Sequence, residues 1–130
     1  MSHFSQIKTK LRNLPFLQLA LDDAGVKWQA GPKCVRGYKG DTETAEIVIE
    51  QENGFDVGFK QNAATGNYEL VADLQYWQQP LSVEGFLNQV TQRYAYHTVI
   101  NESADQGFQV SEKVDNEDGS IRLVLQRWSA

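Results

Sequence analysis

The segment "QRYAYHTVI", residues 92–100, concentrates an arginine, two tyrosines and one of the two histidines of a 130-residue chain. These residue types support a specific chemistry. His97 tuned by an acidic neighbour would be a general base near neutral pH, and Arg93 would hold an anion in a pocket shared with Tyr94. Helical spacing divides the group. At about 100° per residue, Val83, Phe86, Leu87, Val90, Tyr94 and His97 fall on one arc, with Arg93 and Ile100 on its border and Tyr96 nearly opposite. Tyr94 and His97 are therefore expected inward, and Tyr96 outward or towards a partner. His97 then reads as a histidine at the core edge, bonded to a backbone or carboxylate oxygen.

Other chemistry is thinner. A metal site would need His3, Cys34 and His97 to converge, but their spacing has no ligand pattern, and one cysteine builds neither a disulfide nor a zinc site alone. Glu46 and Glu50 share one strand face, with Asp56 across a turn. Paired carboxylates hold cations or perform acid–base work. More often such a row solvates the open side of a sheet, and that is the reading taken. "AGPKCVRGYKGD" is a glycine-rich loop that leads into the strand "TAEIVIEQ", so no helix N-terminus is there to receive a phosphate. Nothing in these patterns calls for a metal or another cofactor, and no catalytic motif is assembled. Tyr76 and Trp77 in "DLQYWQQP", together with Tyr96 and Trp128, are amphipathic aromatics suited to anchoring a partner. Trp77 also suits a cap on the core where the chain crosses from sheet to helix.

The elements that must position these groups follow from periodicity. "HFSQIKTKL" alternates, placing Ser5, Ile7, Thr9 and Leu11 on one strand face. Asn13 caps a helix with Pro15 in its first turn and Gly25 as its stop. A short strand is expected at "VKWQ". Residues 44–51, 55–60 and 68–72 form a meander, turning at Asn53-Gly54 and at "NAATGN", with one apolar and one charged side. Pro80 bars a helix, Ser82 caps the next one, and Gly107 ends it. A last hairpin bends at Asp118-Gly119. The expectation is one α+β domain over residues 1–130: an antiparallel sheet with two helices packed on one face, in the order β-α-β-β-β-β-α-β-β.

Composition sets outer limits. The formal net charge is -5, with 41% hydrophobic and 22% charged residues, ordinary values for a globular domain. No apolar run approaches the roughly 20 residues that span a bilayer. "MSHFSQIKTKLRN" lacks a signal-peptide apolar core, so neither membrane insertion nor export is expected. Charge is uneven: residues 1–40 hold seven Lys/Arg and two Asp/Glu, the rest five and fifteen. Lys8, Lys10, Arg12, Lys33, Arg36 and Lys39 could be a nucleic-acid footprint. The acidic majority would repel a polyphosphate, so the preferred reading is two opposite segments lying side by side in one fold.

The segments "MSHFSQIKT", "VRGYKG", "TAEIVIEQENGFDVGF", "YELVADLQYW", "QRYAYHTV" and "GSIRLVLQRW" resemble one family over nearly the full length. It is the cyanobacterial and plastid-encoded hypothetical chloroplast reading frame thirty-five group, also called domain of unknown function twelve fifty-seven. The resemblance implies a photosynthetic lineage and a place in the cyanobacterial cytoplasm or the plastid stroma. It brings no catalytic residues. It implies an accessory or assembly role, with an AAA-ATPase or ferredoxin-type protein as partner. Two functions are thus carried forward. One is a non-enzymatic protein-interaction module linked to photosynthetic or redox protein assembly. The other is a small-molecule (anion) binding protein or enzyme, with Arg93, Tyr94 and His97 lining a pocket between sheet and second helix.

Overall fold

Apolar alternation builds the first layer. In the computed structural model, which describes residues 4–37 and 42–127, strands β1 (Ser5–Lys8), β2 (Gln29–Arg36), β3 (Thr42–Ile49), β4 (Val57–Gln61) and β5 (Tyr68–Ala72) form one antiparallel sheet. Its order is β1-β5-β4-β3-β2. Ile7 pairs with Leu70, Leu70 with Phe59, and Phe59 with Ile47. This apolar row crosses four strands. Helices α1 (Leu14–Asp23) and α2 (Val83–Asp105) close over it through Leu17, Leu21, Phe86 and Val90, which are buried in the same core cluster. Both helices therefore cover one face, as the sequence implies. Asn13 caps α1 by accepting from the Phe16 N–H, and Ser82 caps α2 by accepting from that of Gly85.

Four details differ from the expectation. The strand expected at "VKWQ" begins only at Gln29 and runs on through "GPKCVR", read as loop, with Gly31-Pro32 accommodated as a bulge between Ala30 and Lys33. A Cβ at Gly31 would run into the Ala45 carbonyl, so glycine there serves a close approach of two strands. Asn53-Gly54 does not make a two-residue hairpin: β3 and β4 are linked by residues 50–56, and Phe55 leaves the strand to stack on Tyr76. The second face of the sheet is mixed. Lys8, Glu69 and Lys60 are neighbours across the strands, and Lys60 reaches Glu43 at 2.9 Å. Beside them Val35, Ala45 and Val48 are buried as a small second cluster, with Phe4 against it. Finally, β6 (Phe108–Asp115) and β7 (Ile121–Arg127) do not extend the sheet; among the described residues they pair only with each other, packing on α2.

The second cluster depends on Gly58. A Cβ there would stand 2.5 Å from Val35 Cγ2 and 3.0 Å from the Ala45 Cβ. Gly58→Ala is expected to destabilise the protein by about 1–3 kcal/mol through overpacking. Val35→Ala in the same chain should recover part of that loss, so the two changes cost less together than their sum. Urea unfolding of the single and double variants measures the coupling.

Candidate functional site

Helix α2 spreads the residues of "QRYAYHTVI" over two neighbours. Tyr94 points to α1, where its hydroxyl accepts from the backbone N–H groups of Asn13 (2.9 Å) and Arg12 (3.2 Å) and its ring meets Phe16 edge-on. His97 points to the other end of α1, with Nε2 2.7 Å from Asp23 Oδ2. A carboxylate only accepts, so this nitrogen carries the proton. Asp22 and Asp23 lie in the last turn of α1, the wrong end of the helix dipole for an anion. The Trp28 indole N–H and His97 each give one of them a donor. Arg93 turns the other way and pairs with Asp115 in β6 at 3.4 Å. Tyr96 lies under the β6–β7 hairpin, with Lys113 Nζ 4.5 Å from its ring centre.

The structure therefore keeps Arg93 apart from Tyr94 and His97 in what each one binds. The space between sheet and α2, where a shared pocket would lie, is filled by the buried side chains of Ile47, Phe59, Leu70, Phe86 and Val90. The three carboxylates of the centre also part company. Glu46 accepts from the Gln61 N–H, Glu50 pairs with Lys33 at 2.8 Å, and Asp56 is 1% exposed rather than solvating the sheet. Cys34 is exposed on the edge strand β2. His3 and Trp128 lie outside the described residues. Among the described residues no three His, Cys, Asp or Glu side chains come together as a metal site. Nor is any helix of these residues long and apolar enough to cross a membrane.

The most elaborate polar cluster was not visible in the sequence. Asp56 accepts from the Arg36 backbone N–H, from Arg36 Nε at 2.8 Å and Nη2 at 2.9 Å, and from the Gln51 N–H. Buried Gln51 donates its amide to the carbonyls of Phe55 and Tyr76 and accepts from the Gln78 N–H and Gln79 Nε2. These bonds join the end of β2, the 50–56 link and the segment that leads to α2. The only hint in sequence is the run of glutamines after Tyr76. Gln51, Gln78 and Gln79, with Glu50 and Glu52, floor an open polar hollow of about 550 Å³. Its two carboxylates make it a poor home for an anion.

Of the aromatic anchors, Tyr76 stacks on Phe55 with ring centres 3.9 Å apart. Trp77 caps the core edge-on to Phe86, its indole N–H bonded to the Leu81 carbonyl. Tyr96 opens onto a cleft. It lines an apolar hollow of about 230 Å³ between α2 and the hairpin, with Ala95, Val99, Ile121 and Leu123. Gln92 joins this hollow to a second of about 380 Å³, bordered by Leu81, Asn88, Glu117 and Asp118.

Two measurements test these roles. Burial pushes the Asp56 carboxyl up, but the Arg36 guanidinium and the two backbone N–H groups outweigh it and hold the group below the usual carboxylate value. Its share of stability is then complete above its unfolded pKa of about 3.9 and is lost as pH falls through the lower folded value. Asp56→Asn should lose about 2 kcal/mol at neutral pH and show a flatter decline below about pH 4, read from urea midpoints across pH. Tyr94→Phe should cost about 1 kcal/mol, because two N–H groups at the start of α1 lose their acceptor. A variant as stable as the parent in the same assay would contradict that bond.

Residues 20–124 match the family described as "Protein of unknown function (DUF1257)". Three relatives are each described as "Uncharacterized protein ycf35". The chain is similar to that of Guillardia theta, with 49% identity over 98% of both chains. It is similar to that of Cyanophora paradoxa at 44% over 98% of both, and to that of Pyropia yezoensis at 40% over 99% of both. No solved structure matches it. The match across most of the chain and these near full-length similarities show that it belongs to the DUF1257 family.

Proposed function

We propose that this protein is a non-enzymatic binding module for another protein, acting in the cyanobacterial cytoplasm or plastid stroma in the assembly of photosynthetic or redox proteins. Its contact face is the cleft between α2 and the β6–β7 hairpin. The observation that carries this reading is the contrast between the polar groups and the cleft. Arg93, Tyr94, His97, Gln51 and Asp56 are all engaged inside the molecule. The cleft instead offers Tyr96, Val99, Ile121 and Leu123 to an incoming side chain, and Val99 is 38% exposed. Amphipathic aromatic and aliphatic side chains around a hollow are what a partner residue fills at the centre of an interface. On the family resemblance, AAA-ATPase and ferredoxin-type proteins are the first partners to test.

A photo-crosslinking amino acid at position 99 reads this out in native cells. One discrete crosslinked partner is expected from position 99 and none from position 64, an exposed site in the turn after β4. Ile121→Asp should abolish it, with the fold checked by circular dichroism. Equal labelling from both positions, or none from either, would refute the contact face.

A further inference from the structure

The same cleft has an electrical sign. Residues 81–120, which supply α2, β6 and the hairpin bend, hold seven Asp/Glu against two Lys/Arg. Arg93 and Lys113 share one carboxylate, that of Asp115, and Lys113 also lies over the Tyr96 ring. Of the arginines on β7, Arg122 alternates away from Ile121 and Leu123, the residues that line the cleft, and Arg127 lies over Phe108 at the far end of the hairpin. The remaining acids include Glu117 and Asp118, which border the second hollow, Asp118 also accepting from the Ser120 N–H and hydroxyl. The cleft is thus apolar at one end and acidic at the other.

We infer that its occupant is a basic segment of another protein, which inserts an apolar side chain between Tyr96, Val99, Ile121 and Leu123 and sets Lys or Arg against Glu117 and Asp118. This rests on the cleft being the contact face. The apolar half follows α2 from Gln92 to Val99 and the polar half from Gly85 to Gln92, so their centres lie about seven residues apart on the helix, roughly 10 Å. An extended segment covers that distance in about three residues. The recognised pattern is therefore a basic residue and a large apolar residue about three positions apart. Complementary charge fixes which way round the segment lies and speeds encounter, while the apolar residue supplies most of the hold.

The probe is a fluorescein-labelled twelve-residue peptide with paired lysines and a leucine three positions on, compared with the same peptide carrying glutamates for the lysines. Anisotropy titration should show the basic probe binding at least tenfold tighter, with binding weakened by salt. Asn88→Lys and Glu117→Lys together should reverse the preference, since neither change removes a cap or a core contact, and thermal melts confirm the fold. Equal binding of the two probes, or tighter binding of the acidic one, would overturn the inference. So would a concentration-dependent dimer that competes with the basic probe, because the occupant would then be a second copy. If the position-99 crosslink maps to a partner segment without basic residues, the contact face survives and the charge assignment fails. If no crosslink forms and neither probe binds, both fail.

Discussion

Helix α2 packs against three neighbours, and most of the architecture follows from that. One arc of its surface must be apolar to close the core over the sheet, which Phe86 and Val90 do. Another must hold α1, and Tyr94 and His97 reach the two ends of that helix. A third must hold the β6–β7 hairpin, which falls to Arg93 and Tyr96. Arg93, Tyr94 and His97 are each taken up by one of these neighbours. The same residues that look like a reaction centre in one dimension are connectors in three.

Charge tells a parallel story. The chain begins basic and continues acidic, and the fold puts the two together: Lys33 meets Glu50 and Arg36 meets Asp56. The second pair is unequal, since the Arg36 side chain is 53% exposed and that of Asp56 only 1%. A buried carboxylate without partners is strongly unfavourable. Asp56 is tolerated because a forked guanidinium and backbone N–H groups meet its oxygens. Gln51 extends the network to the segment before α2, so the register of β2, the 50–56 link and the start of the second helix are specified together.

Local patterning made the element order and both helix caps legible, because each rests on neighbours within a few residues. Asn13 and Ser82 act where their spacing places them. The inward arc of α2 was legible for the same reason. What failed was long-range. Asp56 alternates with Phe55 and Val57, so its position reads as solvent-facing, yet its fate is set by Arg36, twenty residues earlier. "GPKCVR" has loop composition, but β3 supplies the pairing that makes it a strand. The last hairpin has the pattern of a sheet member, and no periodicity says which surface it will meet. The cleft could not be foreseen, since half of it belongs to each of two elements.

The hairpin has a mechanical standing unlike that of any other strand pair among the described residues. Among the described residues neither of its outer backbone edges has a strand partner, and it packs on α2. Its ladder is therefore separate from that of the five-stranded layer, and what ties it to the rest is side-chain contact with α2, Arg93 to Asp115 and Lys113 over Tyr96. The gap beside Tyr96 is thus walled by a helix anchored in the core on one side and, on the other, by strands that the main sheet does not hold.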